Sequence, residues 1–246
     1  MYNILVLGFK NWRRKEMKKF LAALLILVLA MTGVVSAMAE DEVKVMTYEE
    51  YAAAELDTEV VIECYVQATQ SWWQDQITVY AQDENGAYFL YNMACTEEDA
   101  AKLVPGTKIR VTGYKGAWEG EVEVMEATFE FVEAEPWIAE AKDLTEVLAN
   151  EEELIKYQNQ LATFKGLTVE SVTFKNGEPG DDIYVTLQQG EKTFDFCIEV
   201  YLTGTDTEVY KAVSELKAGD VVDVTAFVYW YKTVNAHITA VAPAAK

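Results

Sequence analysis

The sequence predicts a mostly β protein, with two consecutive five-stranded barrels and short helices after an N-terminal export signal. Three observations lead to this prediction. The N-terminus is basic and then apolar, ten later segments alternate apolar with polar residues, and the order of those segments repeats. Alternation with a period of two residues is typical of a strand that has one buried face.

Residues 1–39 have the three parts of a cleavable export signal. Basic residues at 13–15 and 18–19 precede an uncharged run from 20 to 39. The run ends in Ala37-Met38-Ala39, whose small side chains predict cleavage before Glu40 and a secreted or cell-envelope location. Met17 also fits a start, which would make residues 1–16 an over-extension. A run of this length also suffices to cross a bilayer, so a retained anchor is the alternative; after cleavage we expect no membrane span.

The chain is strongly acidic, with a formal charge of −21 over 246 residues. The predicted signal contains six basic residues and one acidic residue, so cleavage leaves 14 basic and 40 acidic residues and a formal charge of −26. Such a field repels phosphate groups, and binding to nucleic acids depends on lysines and arginines that displace counterions. Nucleic acid is therefore a less expected partner than a carbohydrate or a protein.

Three cysteines, Cys64, Cys95 and Cys197, are present in this exported chain. Their spacings match no metal site, and an odd number leaves at least one without an intramolecular partner. Each lies in or beside an apolar strand pattern. This placement favours buried small hydrophobic side chains over a disulfide.

The first repeat is predicted to form a barrel within residues 40–135. Asn85-Gly86 provides the positive φ angles of a tight hairpin, and Pro105-Gly106 follows a short helix that Thr96 can cap. The predicted elements are strands 60–68, 77–82 and 87–92, a helix at about 97–104, and strands 108–114 and 121–125.

The second repeat, predicted within residues 161–246, follows the same order. Its elements are strands 161–172, 182–188 and 193–200, a helix at about 207–216, and strands 221–230 and 234–241. Residues 102–112 and 215–225 align without a gap. Three strands, a helix and two strands are the order of the OB fold, a partly open five-stranded barrel. Between the repeats, residues 136–160 have apolar residues at helical spacing and predict a helical connector.

Several short motifs resemble a family of bacterial exported OB-fold domains, which occur alone or appended to extracellular nucleases. The motifs are the first strand at 60–66, the hairpin at 82–86, the turn at 105–106, and the lead-in segments 48–51 and 144–148. Cys64 departs from the family pattern, because many such domains have glycine there. The resemblance implies the fold over nearly all of the mature chain. It does not identify a ligand, because one fold hosts many functions.

Seven aromatic residues are candidate ligand-binding residues. OB barrels generally bind on the face of strands two and three, between the loop that joins strands one and two and the loop that joins strands four and five. The candidates in or near these places are Trp72, Trp73, Tyr80, Tyr114 and Trp118 in the first repeat, and Tyr229 and Tyr231 in the second. Exposed rings of this kind stack on sugars or bases. The alternative is that some of them fold back and close the barrel mouths.

No residue pattern predicts catalysis, a metal site or a cofactor. His237 is the only histidine, so a structural role is favoured over a zinc site or a catalytic triad. The acidic pairs at 83–84 and 181–182 lie in predicted turns and lack the spacing of a calcium loop. We therefore expect a protein that is not an enzyme.

Three functions remain open. The leading hypothesis is a secreted binding module that holds an oligosaccharide or a peptide on an aromatic face. The first alternative is binding of single-stranded nucleic acid, which gains support if Lys108, Arg110 and Lys115 point into the aromatic cleft. The second is a structural or protein-interaction role without a small ligand, which predicts that Trp72 and Trp118 are buried under residues 136–160. The oligomeric state is not fixed by any of these patterns.

Overall fold

The structure is a computed structural model that describes residues 44–244, and the predicted export signal lies outside this range. The described chain belongs to one compact unit. It is mostly β, as predicted, and contains a closed five-stranded barrel followed by a second sheet. Within residues 44–244, no helix is both long enough and apolar enough to cross a membrane.

The first barrel closes in the order β1-β2-β3-β5-β4, with β4 returning to β1. Its core is formed by inward-facing residues of all five strands, including Ile62, Val79, Leu90, Ile109 and Val124. The closing contact between β3 and β5 is parallel and short. The elements are α1 Tyr48–Ala53, β1 Glu59–Thr69, β2 Gln76–Gln82, β3 Ala87–Ala94, α2 Glu97–Ala100, β4 Lys108–Trp118 and β5 Glu121–Phe131.

Local signals in the first repeat act in part as the sequence predicts. The Thr96 hydroxyl accepts a hydrogen bond from the backbone N–H of Asp99 at 3.1 Å and so caps α2. The helix ends at Ala100 rather than near 104, and a turn at residues 101–102 follows it. The hairpin at Asn85-Gly86 forms, but neither residue has a positive φ angle, so that part of the prediction is wrong. Gly86 is needed for another reason, since a Cβ at this position would collide with the ring of Tyr48.

The second sheet repeats the pairing of the first. Its strand order is β10-β12-β9-β8-β7-β6, and β10 also pairs with β7. Because this pairing joins the two ends of the row β7-β8-β9-β12-β10, we call the second sheet the second barrel. The contact between β9 and β12 is parallel, like that between β3 and β5. The strands are β6 Lys142–Asp143, β7 Leu161–Phe174, β8 Ile183–Gln189, β9 Lys192–Ile198, β10 Val221–Phe227, β11 Trp230–Tyr231 and β12 Thr233–Pro243. The helices are α3 Glu151–Leu154, α4 Val200–Thr203 and α5 Glu208–Glu215, with 3₁₀ turns at Thr145–Val147 and Ile155–Tyr157.

Three local expectations differ from the structure. The strand predicted at 221–230 ends at Phe227, because Trp230 and Tyr231 turn back to form a short hairpin with β12. The predicted helical connector contains only short helical turns, and its β6 pairs with β7. Helix α4 was not predicted. It begins after Glu199, whose side chain accepts hydrogen bonds from the first N–H groups of the helix.

The second barrel packs against strands β2 and β3 of the first. Tyr80 and Phe89 from the first barrel contact Phe227 from the second, and Tyr229 and Leu202 flank this cluster. We call Tyr80, Phe89 and Phe227 the interface cluster. Strand β2 is consequently buried on both faces from Ile77 onward, whereas a strand with one covered face would alternate.

The three cysteines are buried and unpaired, as the sequence predicts. Burial raises the pKa of the Cys95 thiol to about 11 and raises the pKa values of Cys64 and Cys197 as well. Buried thiols with raised pKa values are poor nucleophiles, because the thiolate is the reactive form. These residues therefore serve as core side chains.

Candidate functional site

The face expected to bind ligand in the first barrel is occupied by the second barrel. Tyr80, predicted to lie on an open ligand-binding face, is instead fully buried. Its ring stacks on Phe227 at a centroid distance of 4.2 Å, and its hydroxyl shares a 2.8 Å hydrogen bond with Nδ1 of His237. The sequence pattern correctly indicated a surface of barrel one, but this surface is covered within the same chain.

His237 also belongs to the contact between the barrels. Its imidazole is buried and stacks on the ring of Tyr229 at 4.2 Å. Burial lowers the pKa of His237 from 6.5 to about 3, so the ring is neutral at physiological pH. Tyr229 is half-buried by this stacking and by an edge contact with Phe89, and it therefore contributes to packing rather than to an open site.

An open groove lies beside the interface cluster and is built by both barrels. Its volume is about 440 Å³, within the range of roughly 300–1,000 Å³ typical of small-molecule sites. Trp73 is 70% exposed, and Tyr201 of the second barrel is 63% exposed. The lining residues are Gln70, Ser71, Trp72, Trp73, Gln76, Ile77, Thr78, Tyr91, Asn92 and Tyr201. We call this site the aromatic groove.

The loop between β1 and β2 is held in place by specific hydrogen bonds. The indole N–H of Trp72 donates to the carbonyl of Cys95 at 2.8 Å, so this ring is anchored and half-buried. The backbone N–H of Ser71 donates to the carbonyl of Tyr201 at 2.8 Å, and its hydroxyl reaches the same oxygen at 3.3 Å. The position of Tyr201 in the groove therefore depends on the contact between the two barrels.

Three of the eight non-glycine residues with positive φ angles within residues 44–244 lie in or next to the aromatic groove. Gln74, Asp75 and Asn92 have φ angles of 49°, 60° and 47°, a region that side-chain-bearing residues adopt rarely. Asn92 is held there by its backbone N–H, which donates to the Thr78 hydroxyl at 3.1 Å. Strained residues persist where the surroundings fix them, and they are frequent at ligand sites.

The lining of the aromatic groove is uncharged although the protein is strongly acidic. The amide side chains of Gln70, Gln76 and Asn92 offer both donors and acceptors, and Trp73, Tyr91 and Tyr201 offer ring faces. This combination suits a neutral ligand with flat apolar faces and hydroxyl edges. None of the residues that line the groove is acidic, basic or a cysteine.

Two of the remaining aromatic candidates, Trp118 and Tyr231, lie together at a second place. Trp118 at the end of β4 is 52% exposed, and its ring lies 5.2 Å from the ring of Tyr231. Tyr114 is also exposed on β4. Trp118 and Tyr231 are not among the residues that line the aromatic groove, so the structure separates the predicted single aromatic face into two.

The basic residues considered for nucleic-acid binding are engaged elsewhere. Lys108 forms an ion pair with Glu63 at 2.6 Å, and Arg110 pairs with Glu63 and Glu130, both at 2.8 Å. Lys115 is buried, and its ammonium group donates to three carbonyls at the end of α1 at 2.8–2.9 Å. None of the three lines the aromatic groove.

Lys115 is expected to be important for stability rather than for binding. The change Lys115→Met leaves the carbonyls of Tyr51, Ala52 and Ala54 without this donor. We expect the free energy of unfolding to fall by about 2–4 kcal/mol, because one hydrogen bond to a charged group contributes about 1.5–3 kcal/mol. Urea denaturation measures this effect, with Lys211→Met at an exposed position as the control. Equal stability of the two variants would contradict the expectation.

Two carboxyl groups are buried where β5 meets the second barrel. Oε1 of Glu121 accepts a hydrogen bond from Nδ2 of Asn159 at 2.6 Å, and Oε2 accepts one from the N–H of Trp230 at 2.9 Å. Burial raises the pKa of Glu121 from 4.5 to about 8, and burial also raises the pKa of Glu123. Glu121 is fully buried, so its role is to join the two barrels.

Sequence reasoning missed Tyr91, Asn92 and Tyr201. The pattern of β3 places Tyr91 and Asn92 at the end of a strand with no special signal, and Tyr201 lies in the unpredicted helix α4. A tyrosine at an exposed strand end indicates a binding site only when the position of the neighbouring loop is known. Within residues 44–244, no group of three or more histidine, cysteine or acidic side chains is arranged to hold a metal ion.

Comparisons with known proteins give no family assignment. No family model and no curated protein matches the chain. Among solved structures, it is similar to a murine DNA-binding protein bound with double-stranded DNA, at 14% identity and a TM-score of 0.36, over 76% of this chain and 97% of that one. It is also similar to the tetrameric p202 HIN2, at 9% identity and a TM-score of 0.33, over 78% and 96% of the two chains.

A third similar structure is asparaginyl-tRNA synthetase from Pyrococcus horikoshii in complex with asparaginyl-adenylate, at 13% identity and a TM-score of 0.28. That match covers 34% of this chain, which spans only 18% of the synthetase. TM-scores this low do not transfer a ligand or an activity from these proteins to this chain.

Proposed function

We propose that this chain is an exported, non-catalytic binding protein with two OB-type barrels, and that the aromatic groove holds a neutral oligosaccharide. The observation that carries the proposal is the composition of the groove, which combines exposed rings of Trp73, Tyr91 and Tyr201 with amide side chains and no charge. Sugar rings offer an apolar face for stacking and hydroxyl groups for the amides. A groove of this volume suits a short segment of such a chain.

The distribution of charge argues against single-stranded nucleic acid in this groove. Non-specific nucleic-acid binding depends on lysines and arginines near the bound backbone. The cluster of Lys108, Arg110 and Lys115 is used by ion pairs and by backbone carbonyls. The overall charge of −21 adds repulsion between the protein and a phosphate chain.

The hypothesis of a structural or protein-interaction role is supported in one part only. The two barrels do pack against each other through the interface cluster. However, Trp118 is exposed and Trp72 packs against the core of the first barrel, so neither ring is covered as that hypothesis requires. A purely structural role leaves the exposed rings of Trp73 and Tyr201 without a purpose.

The proposal is tested by tryptophan fluorescence of the purified protein, titrated with cellohexaose, xylohexaose and chitohexaose. We expect saturable binding of at least one of them, and at least a fivefold loss of affinity in Trp73→Ala and in Tyr201→Ala. One stacking ring contributes about 1–3 kcal/mol in comparable base-stacking sites. Tyr184→Ala, which removes an exposed ring on β8, is the control and should bind like the wild type.

Oligo-dT at low salt is titrated in parallel. A salt-sensitive change with oligo-dT and none with the glycans would overturn the proposal in favour of nucleic acid. Absence of a response to every probe would favour the structural role.

A further inference from the structure

The outer face of the β4–β5 hairpin carries exposed aromatic rings that the aromatic groove does not use. Glu123 and Glu121, which pair with Gly116 and Trp118, lie on the same face and are buried. Tyr114, Gly116 and Trp118 alternate along β4 and therefore share one face of the sheet. Met125 lies directly opposite Tyr114, and its side chain fills the space above Gly116. Tyr231 of the second barrel extends this face by its contact with Trp118. We call Tyr114, Met125, Trp118 and Tyr231 the aromatic shelf.

The aromatic shelf is continuous with the contact between the barrels. Glu121 is paired with Trp118 across the hairpin, and Oε2 of its carboxyl group accepts a hydrogen bond from the N–H of Trp230, the neighbour of Tyr231. The backbone N–H of Lys232 donates to the carbonyl of Glu119 at the tip of the hairpin. Both hairpin tips are thus fixed relative to each other, which holds the shelf in one geometry before any ligand binds.

The polar groups of the shelf rings have no internal partners. Within residues 44–244, the hydroxyls of Tyr114 and Tyr231 and the indole N–H of Trp118 make no hydrogen bond to the protein. The hydroxyls of Tyr80, Tyr88 and Tyr210 and the indole of Trp72 do. The shelf therefore presents ring faces together with free donors, which suits a ligand with apolar faces and hydroxyl edges.

Electrostatics at the shelf oppose an anionic ligand through the charge of the whole protein and a cationic ligand only next to Lys232. The ammonium group of Lys232 lies 5.0 Å from the ring centroid of Tyr231 and would repel a cationic ligand there. The formal charge of −21 repels an anionic chain over longer distances. A neutral ligand meets neither penalty.

We propose that the aromatic shelf is a second binding surface for neutral glycan chains, which acts together with the aromatic groove on a long polymer. The proposal rests on the function assigned to the groove. Two surfaces on one rigid body convert the second contact into an intramolecular event, and such linkage raises affinity for a polymer by about 10²–10⁴ over that of one site. Short oligosaccharides occupy one surface at a time and do not benefit.

The test compares short and long glycans with matched variants. Binding of the wild type, Trp118→Ala/Tyr231→Ala and Trp73→Ala is measured on hexaoses in solution and on insoluble cellulose, xylan and chitin. We expect the shelf variant to bind each hexaose within about twofold of the wild type and to bind the corresponding polymer at least tenfold more weakly. Tyr184→Ala again serves as the control, and circular dichroism checks that each variant is folded.

The outcomes separate the two proposals. If the wild type binds no hexaose and no polymer, the function proposed for the groove fails and the shelf proposal fails with it. If Trp73→Ala loses binding and the shelf variant binds the polymer like the wild type, only the shelf proposal is overturned. If sedimentation shows a wild-type dimer that the shelf variant abolishes, the shelf is a contact between copies of this chain, and the proposal is also overturned.

Discussion

Replacing Phe227 with alanine is expected to lower the free energy of unfolding by about 3–5 kcal/mol, the usual effect of truncating a buried phenylalanine. Phe227 is buried between the barrels and stacks almost parallel on Tyr80, with an interplanar angle of 8°. The truncation leaves a cavity against Tyr80 and Phe89, after which Phe89 keeps its contact with the edge of Tyr229 and Tyr80 keeps its hydrogen bond with His237.

The Phe227→Ala substitution should change the cooperativity of unfolding as well as the free energy of unfolding. Phe227 belongs to the interface cluster and not to either barrel core, so the barrels themselves remain packed. We expect guanidinium denaturation, followed by fluorescence and circular dichroism, to change from one transition to two. Phe131→Ala, at an exposed position of β5, is the matched control. A single transition at the wild-type midpoint in Phe227→Ala would show that other contacts join the barrels.

The stability of the protein is expected to fall as the pH rises from 6.5 to 8, and Glu121→Gln is expected to remove much of this fall. Glu121 in the unfolded chain releases its proton near 4.5, whereas the folded state retains it up to about 8. Between these values the folded state binds more protons, so stability decreases with increasing pH. The groups that face Glu121 are Glu123, Tyr51, Tyr80 and Tyr229, and none of these is cationic.

His237 contributes with the opposite sign at lower pH. Its folded pKa of about 3 lies below the ordinary value of 6.5, so the unfolded state binds more protons between these values and stability rises with pH there. The two effects oppose each other between 4.5 and 6.5, where we expect the stability maximum. Above pH 6.5, His237 is mostly neutral in both the folded and the unfolded state. Of the buried carboxyl groups and His237, only the carboxyl groups then change the stability with pH.

The measurement is urea denaturation of the wild type and Glu121→Gln at pH 6.5 and pH 8. One proton over this interval corresponds to about 2 kcal/mol, at roughly 1.4 kcal/mol per pH unit. We expect the variant to lose about that much less stability than the wild type between the two pH values. Glu59→Gln, at an exposed position of β1, should keep the wild-type dependence. Equal slopes for Glu121→Gln and the wild type would show that Glu121 is already ionised in the folded protein.

Most of the fold could be predicted from local patterns in the sequence. Alternation identified the strands, Asn85-Gly86 and Pro105-Gly106 marked turns, and Thr96 marked a helix start. These signals work because each depends on neighbouring residues. The small helix α4 escaped because its cap, Glu199, follows directly on a strand without a break in the apolar pattern.

The candidate site was harder to predict from the sequence, because it depends on how the two barrels pack against each other. Alternation shows that Tyr80 faces away from the core of its own barrel, but it does not show whether water or another part of the chain lies there. The sequence identified Trp73 and Trp118 as aromatic residues of loops. It placed them on one binding face, but the second barrel covers that face in the structure. Tyr201 enters the groove only through the long-range hydrogen bonds from Ser71.

The placement of His237 on the last strand has a consequence for synthesis. A ribosome delivers the chain from its N-terminus, so β1 to β5 are complete before β10 and β12 exist. During that interval Tyr80 and Phe89 face water, because the residues that cover them come from the final part of the chain. The growing polypeptide therefore carries a temporary aromatic patch, of the kind that promotes association between unfinished chains. The same surface that later joins the barrels is the part of the nascent protein most in need of protection.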